Sequence, residues 1–237
     1  MRKTKFVKGN IYHIFNRGVE KRDIFLNDAD RWRFLQGLYL FNDENVSANT
    51  LWEISRNEGT VKFPLVVNSV NRKGRRNRLV KIMADCLMPN HYHLLLEENR
   101  EGGISRFMHK LGTGMTNYFN IKHNLDGRLF RGAFKLKRID IDEYLTYLSV
   151  YIQVKNLFER YPGGLKKATA EFDKAFDWGL KDPYCSLADY AGHRNSPIIE
   201  KSVLGKMFFS PEEYRDFAKQ CILGMNLDLK IGKLGID

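Results

Sequence analysis

Apolar and polar positions repeat with two different periods along this chain, and the switches between them mark out its elements. Residues 11–16 (IYHIFN) alternate as a short strand and stop at Asn16-Arg17-Gly18, a turn signal. Residues 28–41 carry Trp32, Phe34, Leu35, Leu38 and Leu40 as a broad helical face, with Asn27 or Asp28 available to cap its start. From 43 to 78 the pattern loosens around Gly59, Pro64 and Gly74, which predicts an insertion holding a short strand at 63–67. Residues 79–87 (LVKIMADCL) and 91–96 (HYHLLL) predict two strands joined by the turn formers Pro89 and Asn90. A long helix follows over 103–123, with Ile104, Phe107, Met108, Leu111, Met115 and Tyr118 on one side. Residues 129–139 read as a strand carrying cations at Arg131, Lys135 and Lys137. Asp140 opens another helix, buried through Tyr144, Leu145, Leu148 and Ile152.

Tyr161-Pro162-Gly163-Gly164 closes this unit. Residues 161–237 form a helical, loop-rich extension, in which Ser210, Pro211 and Glu213 spell a helix start. Residues 1–160 run strand, helix, insertion, strand, strand, helix, strand, helix. That order predicts an α+β domain: an antiparallel sheet with helices packed on one face.

Composition narrows the partners. The 43% hydrophobic and 13% aromatic content is that of a globular chain. A net charge of +11 and a pI near 9.5 favour a polyanion. Nucleic acid ranks ahead of a membrane, because no amphipathic lipid-binding helix stands out. The densest basic cluster, residues 71–78, holds Arg72, Lys73, Arg75 and Arg76 among five cations in eight residues. It fits a solvated loop or a phosphate-gripping hairpin equally well. Arg17 beside Gly18 offers a guanidinium and bare backbone to a phosphate, or simply makes a turn. The 3 cysteines lie far apart with no C-x-x-C, which argues against a cysteine zinc site and a disulfide framework. No apolar stretch follows the basic N-terminus, and no run approaches the eighteen or so apolar residues of a membrane span. A cytoplasmic protein without a membrane partner is the expectation.

One spacing carries chemistry. Side chains alternate across a strand, so His91 and His93 share a face and can hold one divalent cation from the same side. Alone the pair is weak: with 6 histidines in 237 residues, about 0.15 such pairs are expected by chance. Two half-buried histidines at the mouth of a sheet would read the same way. The last helix of the domain places Tyr147 and Tyr151 one turn apart, and the strand before it leads back across the sheet toward the histidines.

Four motifs in order give this pair its context. They are Tyr12-His13-Ile14-Phe15-Asn16-Arg17-Gly18; Met88-Pro89-Asn90-His91-Tyr92-His93-Leu94-Leu95; Gly127-Arg128-Leu129-Phe130-Arg131-Gly132; and Asp142-Glu143-Tyr144-Leu145 leading to Tyr151-Ile152. Over roughly residues 10–160 the chain resembles the single-tyrosine transposases of the HUH endonuclease superfamily, and among them the REP-associated tyrosine transposases. The resemblance implies a ferredoxin-like, RRM-related sheet, a divalent metal (Mg²⁺ or Mn²⁺) on His91 and His93, and Tyr151 as a nucleophile toward DNA. The family usually places Asn or Gln four residues after the tyrosine as third ligand. Here that position is Lys155, whose ammonium has no lone pair and repels a cation. Asn156 serves instead if the helix is bulged; otherwise water takes the place, or the metal is held more weakly. Lys155 would then be free to hold a phosphate.

The implied activity is metal-dependent transesterification of single-stranded or hairpin-containing DNA through a 5′-phosphotyrosine, by a monomer or a homodimer. Arg72, Lys73, Arg75, Arg76, Arg131, Lys135 and Lys137 are the candidate phosphate contacts. Three other classes fit the same residues: a module that grips hairpin DNA or RNA without cutting, a metal hydrolase using activated water, and a purely structural basic protein. Replacement of Tyr151 by Phe separates the first two from the transesterase, and replacement of His91 and His93 by Ala separates the third.

Overall fold

In a computed structural model the described residues are 5–47, 49–51, 76–140 and 142–224. Arg72, Lys73, Arg75 and the strand expected at 63–67 lie outside them. The first strand, β1, spans Ile11–Arg17, and helix α1 spans Asp28–Leu40. Strands β2 (Val80–Met88) and β3 (His91–Glu98) form the hairpin predicted around Pro89-Asn90. Helix α2 is Gly103–His123, strand β4 is Lys135–Ile139, and helix α3 is Asp142–Val150. A single π-turn, Tyr151–Lys155, joins α3 to a short helix, Asn156–Glu159. The extension adds helices at Gly164–Ala170, Phe172–Gly179, Leu187–Tyr190 and Pro211–Leu223.

The strands form one antiparallel sheet in the order β2-β3-β1-β4. This is the arrangement of a split βαβ pair, an α+β fold of ferredoxin-like topology. Caps act where the residues predicted them: Asn27 accepts from the Asp30 amide, and Ser210 accepts from the Glu213 amide with Pro211 behind it. Tyr12, Ile14, Leu94 and Leu96 pack on Phe34 and Leu38 of α1 and on Phe107, Leu111 and Met115 of α2. Trp32 is the exception in the α1 stripe; it is 39% exposed and meets Tyr184 of the extension edge-on.

α1 and α2 cover one face of the sheet, as expected. The other face is not bare. Leu95, Met83 and Cys86 pack there against Leu148, Ile152, Leu157 and Phe158, and the extension's Phe172, Phe176 and Tyr214 join the same core. Residues 184–186 also pair with β2, through Leu87 N–H to Tyr184 O and Ser186 N–H to Asp85 O. That contact covers a sheet edge that would otherwise expose its backbone groups.

The strand expected over 129–139 is shorter than its sequence suggested. Residues 129–131 do bond the end of β1, with Val19 N–H to Leu129 O and Arg131 N–H to Arg17 O. The chain then leaves the ladder at Gly132 and resumes it at Lys135, opposite Phe15. The resulting loop wraps the end of β1.

Candidate functional site

The turn between β2 and β3 is held from three directions. Ile24 and Phe25 N–H both donate to Pro89 O, Gly18 N–H donates to Asn90 O, and Asn90 Nδ2 donates to Lys21 O. Gly18 is required there, because an added Cβ would lie 2.1 Å from Arg22 O. Its bare backbone therefore meets Asn90 and Arg22; it is not open to a phosphate, and this part of the Arg17-Gly18 expectation is corrected. The clamp fixes the backbone from which His91 and His93 project.

Those histidines face a cavity of about 460 Å³. Tyr151, Asn156, Lys155 and Glu159 line it from the π-turn and the helix after it. Arg17, Arg131 and Lys135 line it from β1, the loop and β4. The Tyr151 and His93 ring centroids are 5.6 Å apart and nearly perpendicular. Tyr147 turns the other way and packs on Phe217 of the last helix. A larger hollow, about 700 Å³, lies along α2 and meets this cavity at Asn16, Gly132 and Ala133. Neither His91, His93 nor Tyr151 lines it.

The π-turn decides which residue stands beside Tyr151. Asn156 N–H bonds Tyr151 O, an i to i+5 link, so one full turn after Tyr151 comes Asn156. Lys155 is displaced to the cavity wall, with Nζ 5.2 Å from the Tyr151 ring centroid and 2.6 Å from Glu159. The extension braces this turn. Gln153 is fully buried, donates to Ser186 Oγ at 2.9 Å and accepts from Tyr214 Oη at 2.7 Å.

Burial sets the charge state of the histidines. It pushes His91 down to about 4, with Arg17 and Lys155 adding to the effect. His93 is held well below the usual imidazole range by burial first, then by His13, His91, Lys155 and Arg17. Both rings are therefore neutral at physiological pH and keep a lone pair. For His91 that lone pair can be located. Asn90 uses Nδ2 on Lys21, so its Oδ1 faces His91 Nδ1 at 2.6 Å, and Nδ1 must carry the hydrogen. His91 Nε2 is then the bare nitrogen.

Two neutral imidazoles and an amide on one cavity wall are donor types that could hold a divalent cation. Among the described residues no three His, Cys, Asp or Glu side chains are grouped to hold a metal, so the set is two imidazoles and an amide. Asn156 is 1% exposed, and its Nδ2 has no hydrogen-bond partner. Such an amide can turn over and present its oxygen to a cation.

The remaining predicted cations separate. Lys137 sits opposite His13 on β4, outside the cavity lining. Arg76, from the basic run at 71–78, has its guanidinium engaged inside the protein. It lies at the far end of β2, donates to Tyr39 O and Asn42 O, and stacks 3.9 Å over the Tyr39 ring. Desolvation made those bonds obligatory once the guanidinium was buried. Two residues of the site were missed as candidates: Glu159, and His13, which is buried against His93. His13 shares a strand face with Arg17 by simple alternation, which is the signal that could have found it.

The chain matches no protein-family profile and no curated protein. Among solved structures, a REP-associated tyrosine transposase bound to a REP hairpin is similar over 84% of this chain and 90% of its own length. The identity is 12% and the TM-score 0.43, a distant structural relationship. No helix among the described residues is long and apolar enough to cross a membrane.

Proposed function

We propose that this chain cleaves and rejoins single-stranded, hairpin-containing DNA, with Tyr151 as the nucleophile and a divalent metal, Mg²⁺ or Mn²⁺, held by His91, His93 and Asn156. The observation that carries this reading is the π-turn, which sets Asn156 one turn from Tyr151 although Lys155 fills the usual position. The four-motif resemblance to single-tyrosine transposases supplies the substrate class.

When bound, the cation would polarise a non-bridging oxygen of the scissile phosphate. Tyr151 Oη attacks phosphorus; the new O–P bond replaces the bond to the 3′ oxygen, which leaves as a hydroxyl after taking up a proton. An ordinary phenol has a pKa near 10, so its proton needs help to leave at pH 7. Lys155 Nζ lies 5.2 Å from the Tyr151 ring centroid, and Glu159 holds that ammonium in place. Arg17, Arg131 and Lys135 surround the cavity with positive charge and receive the phosphates on either side. The phosphotyrosyl diester conserves the bond energy, so a second 3′-hydroxyl can reverse the step.

The test is a labelled single strand with hairpins, drawn from a random-flank library, incubated with Mn²⁺ or Mg²⁺ and run on a denaturing gel. A protease-sensitive adduct that disappears in Tyr151→Phe and in His91→Ala is expected. Cleavage that survives Tyr151→Phe without an adduct points to the hydrolase. Salt-sensitive binding with no cleavage under either metal points to a non-cutting hairpin binder.

A further inference from the structure

His13 is fully buried on β1, and its Nε2 lies 2.9 Å from His93 Nδ1. The two rings stack with centroids 5.1 Å apart and planes 16° from parallel. The β1–β3 ladder fixes both backbones, with Phe15 opposite His93 and His13 opposite Leu95. His13 Nδ1 has no hydrogen-bond partner among the described residues.

A neutral imidazole carries one N–H, so two ring nitrogens in contact allow two arrangements. If His93 Nδ1–H donates to His13 Nε2, His93 Nε2 keeps its lone pair. If His13 Nε2–H donates instead, the His93 hydrogen moves to Nε2 and the ring is lost as a ligand. His13 Nδ1 has no partner in either arrangement, carrying the hydrogen in the first and a lone pair in the second, so a cation that draws on the His93 Nε2 lone pair is what selects the first. His91 shows the same device beside it, with Asn90 Oδ1 holding the hydrogen on Nδ1. Metal-binding histidines are oriented in general by the partner of the second nitrogen.

We propose that His13 is a positioning residue that accepts the hydrogen bond from His93 Nδ1 and so holds the His93 tautomer whose Nε2 lone pair binds the metal. This rests on the reading of His93 as a ligand.

The experiment uses the full chain loaded with Zn²⁺, a diamagnetic probe. Ring-nitrogen tautomers are read by long-range ¹H–¹⁵N correlation, and Zn²⁺ affinity by calorimetry. In the unaltered protein His93 should be metal-bound at Nε2 and protonated at Nδ1, with His13 Nε2 unprotonated. His13→Phe fills the space without an acceptor and should weaken Zn²⁺ about 10- to 100-fold. His13→Gln returns an acceptor oxygen and should recover most of the loss. A metal bound at His93 Nδ1 or directly on His13, or unchanged affinity in His13→Phe, overturns the proposal. If His13→Phe does not fold, the tautomers of the unaltered protein decide alone. Absence of any Zn²⁺ binding by the unaltered protein removes the metal-site reading itself, and the proposal with it.

Discussion

The two faces of one sheet do different work in this protein. On the α1/α2 face, Tyr12, Ile14, Leu94 and Leu96 are completely or nearly completely buried among apolar neighbours. Alternate positions of the same strands point to the other face and include His13, His91 and His93. That second face buries polar groups at a cost, and two of them, His13 Nδ1 and Asn156 Nδ2, lack partners. Both faces carry an apolar core, but the chemically active groups gather on the second, although the same two strands supply both.

The sharpest way to break this contrast is to replace one buried side chain on each face. Leu94→Ala should cost about 2 to 5 kcal/mol, because it opens a cavity in a packed core. Urea unfolding measures it, and a loss under about 1 kcal/mol would deny the first face its stabilising role. The opposite sign is expected on the second face. Asn156→Leu removes an unpartnered buried amide and should leave the metal-free protein unchanged or more stable by up to about 2 kcal/mol. The same change should abolish the rise in melting temperature on adding Mn²⁺. Adding Lys155→Asn to that variant should not restore the rise while the π-turn persists. Destabilisation with the metal response intact would take Asn156 out of the site.

A smaller and graded effect follows from the neutral histidines. Burial, with Lys137 nearby, pushes His13 down to about 3, and His91 lies at about 4. Below pH 6.5 the unfolded chain takes up protons on these rings that the folded chain refuses until pH 4 or 3. Stability of the metal-free protein should therefore fall as pH drops from 6.5 to 4, by about 1.4 kcal/mol per unit for each such proton. Asp85, raised by burial to about 7, acts oppositely: its contribution is present at low pH and is lost as pH rises through 7. Three depressed histidines outweigh it. Melting temperatures across this range check the slope, which His13→Phe should make shallower. A flat profile would mean the rings are charged or exposed.

Much of the first face was legible beforehand. The helical stripe from Ile104 to Met115, the hairpin at Pro89-Asn90 and the Ser210-Pro211 helix start are local signals, and local geometry realises them. The second face was legible only as residue types. His91 and His93 had to share a side, since strand alternation leaves no choice. Their third histidine did not announce itself, because His13 and His93 are 80 residues apart and meet only through strand pairing. Arg76 belonged to an obvious basic run, yet burial against Tyr39 gave its guanidinium another task.

The sequence by itself determined the strands at 11–17, 80–88 and 91–98, the helices at 28–40 and 103–123, the excess positive charge and the side of the strand from which the histidines project. Periodicity is short-ranged, and each of these follows from neighbours a few residues apart. Tertiary structure alone decided that Asn156, and not Lys155, stands one turn from Tyr151. That choice depends on a one-residue slip in backbone hydrogen bonding, with Gln153 buried between Ser186 and Tyr214 of the extension. A helix in isolation would favour the ordinary i to i+4 bonds; packing against a distant segment accompanies the slip that brings the amide to the cavity.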